Sequence, residues 1–239
     1  MRAFLYGAAL QWRLDIRSRS LLITCYVVPL LFFAIMGGIF TSLDPQAGRT
    51  LIPSMTVMGV SMGAFIGAPP SLTEIYGGEI KKMYQANGVP LYLGVVSVFL
   101  SALVHLTIMS AIICAAAPIA FGAAVPADLP AYFAGLMLFT AASLGVGCAL
   151  GLAVKSQSKL TMLAQLLFLP SIMLSGIMFP AELLPGALQG AGRLFPAAWG
   201  YRLMQDGGLV LAHLWPLAAV LAGGAGACAL LLKRLRAAG

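Results

Sequence analysis

LYLGVVSVFLSALVHLTIMSAIICAAAPIAF, Leu91 to Phe121, runs for 31 residues without an Asp, Glu, Lys or Arg, and its one histidine is His105. A helix rises 1.5 Å per residue, so about 20 apolar residues cross the hydrocarbon core of a bilayer. This run therefore places the chain in lipid. It is long for one crossing and short for two, which predicts a single helix that tilts or protrudes. Pro118 is expected to fray its far end. The whole chain agrees: it is 61% hydrophobic and only 9% charged, where a soluble domain carries roughly 25% charged residues. A soluble helical protein with a large core is excluded on that ground.

Apolar runs on both sides of this stretch predict six spans: residues 21–40, 52–75, 91–121, 131–154, 160–179 and 209–232. The fold class is thus an all-α integral membrane protein, one transmembrane domain over residues 1–239. With the N-terminus in the cytoplasm, eleven of the fourteen basic residues fall inside, namely Arg2, Arg13, Arg17, Arg19, Lys81, Lys82, Lys155, Lys159, Lys233, Arg234 and Arg236. Only Arg49, Arg193 and Arg202 fall outside. This asymmetry follows the positive-inside rule, and an even number of spans returns the C-terminus to the cytoplasm. The net charge of +7 is then a topology signal. Its bases are scattered over four membrane-edge segments without aromatic interleaving, so no nucleic-acid partner is expected.

Residues 1–20 lack the apolar core and cleavage site of a signal peptide. Leu5, Ala9, Trp12 and Ile16 share one helical face, while Arg2, Arg13 and Arg17 point elsewhere, which predicts an amphipathic helix in the cytoplasmic interface with Trp12 at headgroup depth. Cys25, Cys114, Cys148 and Cys228 all fall within spans at spacings that suit no metal, and read as small apolar fillers. His105 reads as a neutral histidine bonded to a neighbouring helix, with no intramembrane acid placed to relay its proton. In the second span Gly59, Gly63 and Gly67 recur every four residues, a small-xxx-small stripe for close helix packing within the chain; Gly147 and Gly151 repeat the device in the fourth. Pro69-Pro70 should kink the second span near its cytoplasmic end.

The passage between the second and third spans, "TEIYGGEIKKMYQANGVP" (Thr73 to Pro90), is polar where a short turn would suffice. Ile80, Met83 and Tyr84 share a helical face within the polar set Glu79, Lys81, Lys82, Gln85 and Asn87; Gly88 is a stop signal and Pro90 opens the next span. The loop 76–90 is therefore expected to hold a short amphipathic helix parallel to the membrane, offering an apolar knob to a cytoplasmic partner.

In its order of amphipathic N-terminal segment, six spans and "GGEIKKMYQANGVPLYLG" loop, the chain resembles the type-2 permeases of ABC exporters. Glu79 matches the second acid of that family's loop motif and Val89-Pro90 its proline turn, while Gly78 stands where Arg is usual and Lys81-Lys82 where Gly-Thr is. "LFLPSIMLSGIMFPAELLPGALQGAGRLFPAAWGYRLMQ" is similar to the family's fifth span and outer hairpin, residues 180–208, with Leu169-Pro170, Ser175-Gly176, Phe179-Pro180, Leu184-Pro185 and Phe195-Pro196 in order. The resemblance implies that Gly78, Glu79, Ile80, Lys82, Met83, Tyr84, Gly88 and Pro90 couple the chain to an ATPase. It also implies that Ser175, Gly176, Phe179, Pro180, Pro185, Phe195 and Pro196 form short re-entrant helices closing the outer gate. The implied partners are two copies of an ABC ATPase, a second permease copy or a sister permease, and the lipid of a bacterial inner membrane.

Catalysis is not expected of the chain itself. It contains no Gly-Lys dipeptide, hence no Walker loop, and Leu174-Ser175-Gly176 lies in an apolar span rather than an ATPase signature. No cofactor is expected in this chain; ATP and Mg would be bound by the partner. The expected function is export of an apolar or amphiphilic substrate from the cytoplasm or inner leaflet. The alternative is an ion-coupled secondary transporter, which needs intramembrane acids or broken helices near the midplane; Glu74 and Glu79 sit at the cytoplasmic edge and the other acids in loops. An intramembrane serine protease built on Ser175 and His105 is disfavoured by Met173, where a small residue is required.

Overall fold

The computed structural model describes residues 11–43, 45–178, 180–205 and 210–237, and its described secondary structure is helical throughout. Residues 11–17 form α1. Long helices follow: α2, Arg19–Leu43, and α3, Leu51–Gly77; then short α4, Glu79–Ala86; α5, Tyr92–Phe121; α6, Leu129–Ala153; and α7, Gln157–Met173. A hairpin of short helices, α8 (Gly186–Gly192) and α9 (Pro196–Gln205), leads to the long α10, Leu211–Ala237. Among the described residues, five helices (α2, α3, α5, α6 and α10) are long and apolar enough to cross a membrane. The chain is a multi-pass membrane protein. The segment read as a fifth span, 160–179, holds helix α7, which has 17 residues and stops at Met173, where Leu174 to Gly176 turn the chain, with Gly176 at φ +88°.

α3 is the axis of the bundle. Of its most apolar stretch 89% is buried, against 22% in α2 and 17% in α10, so α2 and α10 lie at the periphery. A helix apolar on every side requires such a position, and α3 touches α2, α5, α6, α7 and α9. Two backbone devices let these helices close up. In α2, Pro29 has no N–H for the carbonyl of Cys25, and the chain widens into a π-turn at Ile23–Val27. In α3, Pro69 and Pro70 remove two further donors, and a π-turn at Gly63–Gly67 precedes them, closed by the Ala68 N–H to the Gly63 carbonyl at 2.9 Å. The backbone irregularity thus begins ahead of the prolines, and Pro69 opens the final helical segment, where a missing N–H costs nothing.

The glycines of α3 face α2 and α5. A Cβ on Gly59 would lie 2.6 Å from Met109 Cε, one on Gly63 2.2 Å from Leu106 Cδ2, and one on Gly67 3.0 Å from Cys25 Sγ. The opposite face is tighter, because there backbone meets backbone: a Cβ on Gly147 of α6 would lie 2.0 Å from the Ala64 carbonyl oxygen, and one on Gly151 2.7 Å from that of Pro69. Thr73 adds hydrogen bonds from Oγ1 to the carbonyls of Gly151 and Val154 at 3.2 and 3.3 Å, and Tyr132 donates to Thr56 at 2.9 Å. α10 packs on the other side of α6, where Gly224 meets Gly145. The four cysteines are free and buried.

α1 docks on the bundle through Asp15 and leaves Ile16 on the outside. Leu5 and Ala9 lie outside the described residues; of the rest, Ile16 is exposed while Asp15 is only 4% exposed. Asp15 accepts hydrogen bonds from Gln11 Nε2 at 2.8 Å and from Ser101 of α5. Trp12, half-buried, stacks on His105 of α5, ring centres 4.2 Å apart. A buried carboxylate requires hydrogen-bond partners, and α5 supplies one, so polar bonding rather than apolar area sets how α1 docks.

Candidate functional site

α4 stands out at its end of the bundle because none of its residues is buried. Gly78 makes the turn into it: a Cβ there would press to 3.1 Å from the Glu74 carbonyl oxygen. Glu79 and Lys82 form an exposed ion pair at 2.8 Å. At the other end Asn87 Nδ2 donates to the Met83 carbonyl at 2.8 Å, the Val89 N–H donates to Tyr84 at 2.8 Å, and Gly88 takes φ +64°, the left-handed conformation that ends the helix. Pro90 then leads into α5. The apolar trio divides: Ile80 and Met83 are 41% and 62% exposed, while Tyr84 packs against the core. The free knob is therefore Ile80 and Met83, and Tyr84 ties it to the bundle.

Tyr76, which the sequence reading passed over, fixes both ends of this loop. Its buried hydroxyl donates to the Leu91 carbonyl and accepts from the Val95 N–H at 3.1 Å, joining the last turn of α3 to the first turn of α5. Gly94 makes room, since a Cβ there would lie 2.8 Å from that hydroxyl. A tyrosine in an apolar span gives no sign of such a bond in one dimension; its single signal was a glycine at the start of the next span.

At the opposite end, each short element of the hairpin begins at a proline. Pro180 precedes the 3-10 turn Ala181–Leu183, Pro185 precedes α8, and Pro196 opens α9. Phe179 lies outside the described residues. Ser175 is buried and donates to the Ile172 carbonyl at 2.7 Å, so Ser175 and Gly176 build the turn that ends α7. The two hairpin helices differ in depth: α8 buries only Gly192, whereas α9 buries most of its residues, with Gly200 against the Phe139 ring. Phe195 is half-buried where they join. A cavity of about 780 Å³ lies beside this turn, with Ser175, Gly176, Pro180, Glu182, Tyr201 and Arg202 among its lining. Burial pushes the Tyr201 phenol above its ordinary range; the hydroxyls of Ser54 and Thr50 oppose this and the Glu182 carboxylate adds to it.

His105 is buried and shares a 2.7 Å hydrogen bond with the Tyr26 hydroxyl of α2 through Nδ1. Asp15 is bonded one helical turn away, at Ser101. This corrects the placement of every acid at an edge or in a loop: α1 brings Asp15 into the bundle. Among the described residues, no three His, Cys, Asp or Glu side chains are grouped to hold a metal.

These features meet in one known design. The model of the ABC-2 type transporter family matches residues 3–208. The chain belongs to that family. No curated protein matches it. As an ABC-2 permease it is the membrane component of a transporter and works with an ABC ATPase partner. The match spans α1, α4 and the hairpin through Gln205, and α10 lies beyond it.

Proposed function

We propose that this ABC-2 permease exports an apolar or amphiphilic substrate from the cytoplasm or inner leaflet of a bacterial inner membrane. Two copies of a partner ATPase, which bind ATP and Mg, drive it, and it pairs with a second copy or a sister permease. The observation that carries the proposal is α4: an exposed amphipathic helix with an apolar knob, Ile80 and Met83, held at both ends by Tyr76 and Gly88. A rigidly tied, solvent-facing element next to the central helix suits transmission of a partner's motion. Gly78, Glu79, Lys82, Tyr84 and Pro90 shape and anchor it.

Orientation follows from the charges. Lys81, Lys82, Lys155, Lys159, Lys233, Arg234 and Arg236 lie on segments at the α4 end, which supports a cytoplasmic α4 with both termini on that side. A membrane-impermeant thiol reagent applied to intact cells should then label a cysteine placed at Gln189 and spare one at Gln85; outside labelling at Gln85 would reverse the assignment. The hairpin cavity, with Ser175, Gly176 and Pro180 in its lining, suits an outer gate, and its mixture of Phe40, Leu43 and Ile177 with polar groups such as Ser54, Glu182, Tyr201 and Arg202 suits an amphiphile.

The buried Asp15 is the observation that favours the alternative, an ion-coupled carrier. Both its oxygens are engaged by Gln11 and Ser101, which supports a clamp holding α1 to α5. Reconstitution in lipid vesicles with and without the ATPase separates the readings. The exporter moves cargo only with ATPase and ATP; movement by the permease alone along a proton or sodium gradient, abolished by Asp15→Asn, would reject it.

A further inference from the structure

A second cavity, of about 630 Å³, lies at the α4 end between the start of α5 and the end of α10. One wall is apolar, made by Val89, Pro90 and Leu91 before α5 and by Leu232 of α10; Lys233 and Arg236 line it from the last turns of α10. Among the described residues no carboxylate lines it. Among the described residues the one salt bridge is Glu79–Lys82, so neither cation is neutralised within the described chain. Both are exposed.

The positive-inside rule accounts for basic residues in this segment but not for a cavity that two of them share with an apolar wall. A small aqueous anion would leave that wall against water, and a hydrocarbon alone would cover two charges without pairing them, which is costly. The lining fits a ligand with an anionic head and a hydrocarbon tail, at the level where α10 leaves the apolar run. Basic pockets between membrane helices hold acidic lipid headgroups for this reason. We propose that this cavity binds an anionic phospholipid, its phosphate on Lys233 and Arg236 and its upper acyl chain along Val89 to Leu91.

Such a lipid bridges α10 to the Gly88–Pro90 joint between α4 and α5. It steadies that joint, and on the exporter reading it thereby steadies the coupling helix. Binding itself does not depend on that reading. Arg234 supplies the control: it has the same charge in the same segment, is exposed, and does not line the cavity.

The test uses the purified full-length permease in mixed micelles of dioleoylphosphatidylglycerol and dioleoylphosphatidylcholine, with retained lipid counted by native mass spectrometry. Phosphatidylglycerol should be retained over phosphatidylcholine. Lys233→Gln and Arg236→Gln should each lower that retention about fivefold at low salt, and Arg234→Gln should leave it within about twofold. Hydrogen exchange at residues 87–92 should slow in phosphatidylglycerol relative to phosphatidylcholine. Equal retention of the two lipids would overturn the site, as would a loss in Arg234→Gln equal to that in the other two, which would mean diffuse surface attraction. Displacement of bound phosphatidylglycerol by added ATPase would assign the cavity to the protein partner instead. None of these readouts requires transport, so they stand or fall separately from the exporter reading.

Discussion

α3 and α4 are separated only by Gly78, yet one is the most enclosed of the long helices and the other buries no residue. The contrast teaches how a permease can be rigid and accessible at once. α3 is held by close contact on two faces, by side-chain ends toward α2 and α5 and by backbone toward α6. α4 is held only at its ends and through Tyr84. A displacement of α4 therefore has one stiff route into the bundle, through Tyr76 and the first turn of α5.

The contrast breaks most severely at α6. Gly147→Ala sets a methyl group 2.0 Å from a backbone oxygen of α3, which no rotamer relieves, and should cost about 3 kcal/mol or more. Gly59→Ala meets the flexible end of Met109 and should cost about 1 kcal/mol. Thermal unfolding in detergent should rank them in that order, and equal losses would deny the difference between the two faces. Next comes Tyr76→Phe, which removes one donor and one acceptor from the α3–α5 joint and should cost about 1–3 kcal/mol. It should uncouple transport from ATP hydrolysis while the ATPase still docks; lost docking would place Tyr76 in the wrong role.

Effects at α4 itself should be smaller and confined to the partner. Met83→Ala should weaken ATPase docking by about 1–2 kcal/mol, five- to thirtyfold in Kd, because buried apolar anchors concentrate interface energy, with no change in thermal stability. Tyr84→Ala should do the reverse, loosening the loop first. Lys82→Ala should be the weakest, within about 0.5 kcal/mol by either measure, since its ion pair is exposed. A Lys82 effect matching that of Met83 would mean that charge, not the knob, carries the contact.

Much of this arrangement was legible before folding. The apolar runs announced a helical membrane protein because lipid leaves the backbone no partner but itself, and the family likeness rested on loop and hairpin motifs that are local in sequence. The polar break at Thr73 to Pro90 announced α4, since Ile80, Met83 and Tyr84 lie within one helical repeat. Their different fates were not legible: Tyr84 and Met83 are neighbours in the chain, and only packing turns one inward. The end of helix α7 at Met173 was not legible, because the residues beyond it remain apolar while Gly176 turns them.

α1 shows the limit most clearly. Periodicity set Ile16 on the apolar face of an interfacial helix and gave Asp15 no partner, because hydropathy knows nothing of Ser101, 86 residues away. Membrane placement, helical class and the existence of α4 are properties of composition and spacing within a turn or two of helix, so residue order alone fixes them. Which side of α1 is buried, where Tyr76 bonds, and that Lys233 and Arg236 share a cavity with Val89 to Leu91 depend on helices far apart in the chain meeting at one level of the bundle. Those pairings are set by shape and hydrogen-bond satisfaction across the interior, which no local pattern encodes.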